Sequence, residues 1–347
     1  MLFVSLRDLQ WRRRRFLIGV LAAGLVFALT LLMSGVSASF GDEIRHTVSA
    51  FQVDSWVVPV DVSGPFTSSR LLPAAQAQAI ASSPGVTAAD PVLLMRVSVK
   101  TSSVHDLNVV GIRPSGIVAP KLAAGRALSK SGEMIADSSL GLKLGSSVQA
   151  FGKHFIIVGR THGLTFFAGV PVAFVPLADL QAGALNGAPL ATTIVTRGAV
   201  ATAPTGYKVL TKSEVRADLS RPMHEATQTI SFIMALLWLV AAGIIGSVLY
   251  LQAIERSRDF AVFKATGVTT RTLLAGLAFQ AIALALFAAI AAYILSFLLT
   301  PAMAMTIAIP RSAYIALPVV AIFVGLVSSL VALRRAVTVD PALAFGG

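Results

Sequence analysis

Four stretches of this 347-residue chain are long, apolar and free of Asp, Glu, Lys and Arg: Phe16 to Val36, Ile230 to Leu251, Leu273 to Leu299 and Ala313 to Leu333. In hydrocarbon each backbone N–H and C=O must be satisfied within its own segment, so such runs fold as membrane-spanning helices. The first has 21 residues, enough for about 31 Å of helix and one crossing. Ser37-Ala38-Ser39 faintly resembles a leader cleavage site, but the apolar run before it is too long, and an uncleaved first helix is expected. The overall balance, 55% hydrophobic and 13% charged, is likewise that of an integral membrane protein.

The formal charge of +12 has meaning only once the cations are placed on the two sides of a bilayer. Arg12 to Arg15, Arg256, Arg258, Lys264, Arg271, Arg334 and Arg335 share one side of a four-helix path, whereas the short connection 300–312 has only Arg311. The positive-inside rule therefore puts both termini and the loop 252–272 in the cytoplasm, with segment 37–229 outside. In residues 1–15, Leu2, Phe3, Leu6 and Leu9 share a helical face beside Trp11, which predicts an in-plane amphipathic elbow against membrane lipids. Because a span follows Arg12 to Arg15 at once, that run reads as a membrane anchor, and no nucleic-acid partner is expected. The tail 334–347 is cytoplasmic by the same rule.

Segment 37–229 is large enough for one or two folded lobes and only mildly basic, with 16 Lys/Arg against 12 Asp/Glu. Trp56 to Val62, Val92 to Lys100, Leu107 to Ile112, Gln149 to Val158 and Val170 to Val175 read as strands, and Pro73 to Ser82 and Leu177 to Gly183 as short helices. The expected fold is thus four transmembrane α-helices with a large α+β extracytoplasmic domain inserted between helices 1 and 2. At its flanks, Val36, Phe40, Ile44, Val48 and Phe51 recur at helical spacing, as do Val215, Leu219, Met223, Ala226, Ile230 and Ile233. These stripes predict either a two-helix stalk lifting the domain by about 22 Å or ordinary domain helices that abut the membrane.

The loop 252–272 has the pattern of a compact helix with marked ends. Glu255 and Asp259 put negative charge early, Lys264 puts positive charge late, and Gly267 suits a left-handed close. Thr269 or Thr270 can cap the next helix. Phe260 and Phe263, three apart, share a face. Two exposed aromatics there would serve either to dock into a partner's groove or to rest in lipid headgroups.

Several chemistries are excluded or disfavoured. The run Gly141-Leu-Lys-Leu-Gly-Ser-Ser lacks the spacing and lysine of a phosphate-binding loop, so any ATP hydrolysis belongs to a partner. There is no cysteine, and His46, His105, His154, His162 and His224 form no i, i+4 pair, so no metal site is expected. No Gly-x-Ser-x-Gly nucleophile elbow occurs, and no catalytic residue is assigned. Spans without ionisable groups argue against an ion-coupled carrier. Gly19 with Ala23, and Ala242 with Gly246, offer sites of close helix approach, while Pro301, Pro310 and Pro318 mark the third connection and the start of the last helix.

The run Glu255-Arg-Ser-Arg-Asp-Phe-Ala-Val-Phe-Lys-Ala-Thr-Gly267 resembles the coupling segment of FtsX/MacB-like ABC transporter permeases, usually Glu-Arg-x-x-Glu-Ile-Gly-x-x-Lys/Arg-Ala-x-Gly. Glu255, Arg256, Lys264, Ala265 and Gly267 match it; Asp259, Phe260 and Ala261 depart from it. Ser83-Pro-Gly-Val-Thr-Ala-Ala-Asp-Pro-Val, Val175-Pro-Leu-Ala-Asp-Leu-Gln and the closing Arg334-Arg-Ala-Val-Thr-Val-Asp-Pro-Ala-Leu-Ala are similar to other parts of the same family. The resemblance implies a non-catalytic permease subunit in a bacterial cytoplasmic (inner) membrane, forming a homodimer with cytoplasmic ABC ATPases. ATP and Mg would be bound by those partners and no cofactor by this chain. Docking would fall to Glu255, Arg256, Asp259, Phe260, Phe263, Lys264 and Gly267. The work done would be export or extraction of an amphiphile, lipid-linked molecule, peptide or drug, with or without an extracytoplasmic adaptor. The alternative is a signalling module that mechanically activates a partner such as a cell-wall hydrolase.

Overall fold

The computed structural model describes residues 13–100, 104–255, 259, 261–263, 266–302 and 307–337. In chain order its elements are α1 (Arg13–Ala50), β1 (Ser55–Pro59), β2 (Leu72–Pro73), α2 (Gln76–Ala81), β3 (Ala88–Lys100), β4 (Val104–Ile112), β5 (Ala124–Gly125), β6 (Glu133–Asp137), β7 (Ser147–Ala150), β8 (Lys153–Thr161), β9 (Thr165–Phe166), β10 (Val170–Pro176), α3 (Leu177–Ala184), β11 (Leu190–Ala191), β12 (Thr193–Arg197), β13 (Tyr207–Thr211), α4 (Lys212–Glu255), α5 (Thr270–Leu299) and α6 (Arg311–Val337). They form two compact units: a helical one, and an inserted domain of Phe40–Ala226.

The inserted domain is built on an eleven-stranded mixed sheet with the main order β13-β1-β12-β3-β4-β10-β6-β8-β5. Strand β3 joins its two halves: Ala88 to Val92 pair with β12, and Leu93 to Lys100 pair with β4. β4 runs parallel to β10, and β6 parallel to β8. β1 is buried throughout and β10 from Val172 to Pro176, so these two stretches, covered on both faces, read as near-continuous apolar runs. The two-residue period nevertheless sorts them. Val172 and Phe174 of β10 join one core with Trp56, Val92 and Val195, while Ala173 and Val175 join another with Leu93, Phe155 and Leu180 of α3.

Three sequence expectations are revised here. Gln149 to Val158 is a hairpin rather than one strand, because Phe151 and Gly152 both take positive φ (52° and 71°), the geometry of a tight two-residue turn. Gly183 makes room for it, since a Cβ there would lie 2.5 Å from that of Phe151. β1 stops at Pro59, short of Val62. The flank stripes do not form a free stalk at their domain ends. Val48, Phe51, Val215 and Leu219 are buried in the same core as Trp56 and Phe174, with Ile44 packed against it. Phe40 is buried and Met223 half-buried. The apolar stripes of α1 and α4 cover the sheet because an open sheet face leaves more apolar surface to bury than two helices offer each other.

The start of α4 has a local cause that the hydrophobic pattern hides. Glu214 accepts from the Thr211 N–H at 2.8 Å, and the Thr211 hydroxyl accepts from the Glu214 N–H at 3.4 Å, the reciprocal arrangement of a capping box.

In the helical unit, four helices are long and apolar enough to cross a membrane. Their cluster is alanine-rich, with Ala23, Ala241, Ala281, Ala285, Ala288 and Ala292 all buried, so helices approach through small residues. Gly19 lies against Val248, and the Ser328 hydroxyl on α6 donates to the Ala242 carbonyl on α4 at 2.9 Å. Pro318 falls inside α6, which begins at Arg311 directly after Pro310, so Pro318 does not mark the helix start. A Cβ on Gly325 would stand 3.0 Å from the Ala281 carbonyl oxygen of α5. We expect Gly325→Leu to destabilise the α5–α6 pairing by about 1–3 kcal/mol, read as a lower unfolding temperature of the chain in nanodiscs, with Leu326→Ala on the exposed face unchanged.

Candidate coupling site

In the loop between α4 and α5, the described residues show a helical turn and its close. Asp259, Ala261, Val262 and Phe263 are helical. Gly267 takes φ 88°, and the Val268 N–H donates to the Phe263 carbonyl at 2.9 Å. That six-to-one bond across a left-handed glycine is the Schellman close, and Phe263 and Val268, at the positions of its hydrophobic pair, both pack on the helical core. Thr269 is the N-cap residue of α5 with extended backbone. Its hydroxyl contacts the Thr272 hydroxyl at 2.9 Å rather than capping a backbone N–H.

Exposure revises the expectation of an outward aromatic at Phe263. Phe263 is half-buried against the cluster that holds Phe27, Ala253 and Leu273, while Ala261 is fully buried. This explains a small residue at 261: the helix lies against the unit there, with room for a methyl group. The outward face instead carries Asp259, Val262 and Thr266, three and four residues apart. Val262 is 49% exposed. Glu255, the last residue of α4, is also exposed. Arg256, Phe260 and Lys264 lie outside the described residues.

Sequence reading missed how firmly the inserted domain holds the ends of α1 and α4. On α1, Glu43 accepts from the Gly169 N–H at 2.8 Å, His46 Nδ1 lies 3.0 Å from the Gly163 carbonyl, and the Thr47 hydroxyl donates to the Thr165 carbonyl at 2.6 Å. These residues, at i, i+3 and i+4, grip one turn. Phe167, Ala168 and Gly169 all take positive φ there (56°, 63° and 87°), a conformation costly for the first two. On α4, buried Asp218 accepts from the Phe66 N–H at 3.0 Å and from the Thr67 hydroxyl, and the Arg221 guanidinium donates to Ser63. The available signal was polar residues interrupting apolar helical stripes. Among the described residues no cluster of His, Asp and Glu could hold a metal ion.

Four candidate spans with a mixed α/β sheet domain between the first and second define a polytopic membrane protein with one large inserted domain. Residues 231–341 match the family described as FtsX-like permease C-terminal. Two ABC transporter permeases of Mycobacterium tuberculosis and one of Mycobacterium bovis are each 42% identical over 348 residues, covering 100% of both chains. The chain belongs to the FtsX-like family of ABC transporter permeases, and such a permease implies a partner ATPase. Among solved structures, the periplasmic region of MacB from Actinobacillus actinomycetemcomitans matches at 12% identity and TM-score 0.38, covering 51% of this chain and 96% of that one. The extracellular domain of the noncanonic ABC-type transporter YknZ from Gram-positive bacteria matches at 14% and 0.35, covering 46% and 98%.

Proposed function

We propose that this permease subunit couples ATP hydrolysis by a separate cytoplasmic ATPase to movement of its inserted domain, exporting or extracting an amphiphilic payload. The observation that carries the reading is the continuity of α4. It starts in a capping box at the sheet, is tied to the domain through Asp218, Val215 and Leu219, and continues as one helix through Pro222 to Glu255, where the Schellman-closed segment follows. A helix is stiff along its axis, so displacement at one end reaches the other.

In this reading both termini and the segment 252–272 are cytoplasmic, the inserted domain is extracytoplasmic, and the subunit works as a homodimer in a bacterial inner membrane. The chain itself is non-catalytic and binds no cofactor; ATP and Mg belong to the partner. Glu255, Asp259 and Val262 present the docking surface with Arg256, Phe260 and Lys264, while Phe263 and Gly267 hold the segment in shape.

The test is purification of the C-terminally tagged chain in mild detergent, with mass spectrometry of what accompanies it. A P-loop ATPase is expected with the parent chain and with a Leu144→Asp control in the inserted domain. Val262→Asp should reduce its recovery at least about tenfold, as loss of a central interface contact does. Equal recovery with Val262→Asp would refute the docking surface, and absence of any ATPase would refute the coupling reading.

A further inference from the structure

The inserted domain contains a cleft of about 630 Å³, within the usual range for small-molecule sites. It opens at the carboxyl ends of the parallel strands β4 and β10, where Arg113 and Pro114 follow one strand and Leu177 and Ala178 follow the other. Crevices at the carboxyl ends of parallel strands are where open α/β sheets hold ligands.

The walls are mostly apolar and stiff. Four of the lining residues are Pro91, Pro114, Pro176 and Pro189, which have fixed φ and no N–H to offer. A preformed wall of this kind loses little entropy when a ligand enters.

The charged groups give the cleft its sign. Arg113 and Lys130 line it together with Asp179. The Asp179 carboxylate is buried and already taken up by the Ser131 hydroxyl at 2.6 Å, the Gly132 N–H at 2.9 Å and Lys153 Nζ at 3.5 Å. Arg113 shares its charge with Asp90, at 3.1 Å, but half of its side chain is exposed. Among the described residues no carboxylate lies within ion-pair distance of the Lys130 ammonium. Its loop is locked from both sides, Glu133 accepting from the Ser129 and Lys130 N–H groups and Asp179 from Gly132.

We propose that this cleft binds an anionic amphiphile, a molecule with one carboxylate or phosphate head and an apolar body, the head meeting Lys130 and Arg113 and the body lying on the proline walls. That such a ligand is the transported payload rests on the function proposed above; the binding does not.

The experiment uses the full-length chain in phosphatidylcholine nanodiscs and a dodecanoate with a terminal diazirine as photolabel. Label is expected on residues of the cleft between 74 and 189. Dodecyl phosphate should compete for it, while dodecyltrimethylammonium and inorganic phosphate should compete at least about tenfold more weakly. The relative strengths of dodecanoate and dodecyl phosphate tell which head group is preferred. Lys130→Glu, at an exposed position, should weaken anionic binding about five- to tenfold and leave the unfolding temperature unchanged, and Ala178→Trp should block labelling by filling the cleft. Label confined elsewhere, equal competition by the cationic amphiphile, or indifference to Lys130→Glu would overturn the proposal. Because ATPase recovery is a separate measurement, its failure alone would remove the transporter reading and leave the site standing.

Discussion

Phe51→Ala will destabilise the inserted domain by about 3–5 kcal/mol, the range for truncating a buried aromatic. The side chain is 1% exposed and makes edge contacts with Trp56, Phe66 and Phe174, at ring-centroid distances of 4.8, 6.0 and 6.3 Å. Such pairs contribute beyond the area they bury. Phe51 also follows directly on α1, so its loss opens the core at the place where that helix meets the sheet. Urea-dependent proteolysis of the full-length chain measures the effect, with cleavage within 40–226 at much lower urea. If Phe51→Ala shifted the midpoint no more than Val60→Ala, at an exposed position, the end of α1 would not be part of the domain's core.

Glu133→Gln will cost about 2–4 kcal/mol near neutral pH, because a buried carboxylate with several donors is replaced by a group that satisfies fewer of them. Glu133 is 2% exposed and pairs with Arg126, whose guanidinium donates to both carboxylate oxygens; the Ser129 and Lys130 N–H groups add to it. The Arg126 hydrogen bonds, above all, hold its carboxyl down at about 2, against an ordinary value of 4.5. A carboxyl with a lowered folded-state value stabilises fully above its unfolded value, and that contribution disappears as the pH falls through the folded one. The unfolding temperature of the parent chain should therefore drop between about pH 4.5 and pH 2, and Glu133→Gln should show a flatter profile in that window. A parallel pair of profiles would mean that other carboxylates govern acid stability. Since the same carboxylate fixes the loop carrying Lys130, the variant should also weaken anionic binding in the cleft.

Much of this architecture was legible without coordinates. Charge-free runs of more than twenty residues leave the backbone only the helix as a way to satisfy itself in hydrocarbon, so the four spans followed from composition alone. The helix closed at Gly267 was readable because its cause is local: a glycine that takes φ 88° immediately after the helix. The strands were read less completely. β6, β12 and β13 were missed, although β12 carries its own signal in the β-branched run Thr193-Ile-Val-Thr; β6 and β13 owe their strand state more to neighbours across the sheet than to their own pattern. Glu133 and Asp137 bound β6 with carboxylates that are buried only because Arg126, Thr161 and the Leu164 N–H meet them.

The aromatic pair of the coupling segment shows the same division. Spacing put Phe260 and Phe263 on one helical face, yet whether that face meets water or protein depends on what lies beneath it, and at Phe263 it is the core of the helical unit. The cleft is further still from the sequence, since Ala74, Arg113, Lys130 and Pro176 meet only where two parallel strands end side by side. By itself the sequence determined what depends on near neighbours along the chain: the spans, the marked helix ends, the absence of a phosphate-binding loop and the family. The tertiary structure alone decided which stripes cover the sheet, which acids are buried and which distant residues share a cleft. Burial is a property of surfaces brought together across long separations, and no local pattern specifies the other surface.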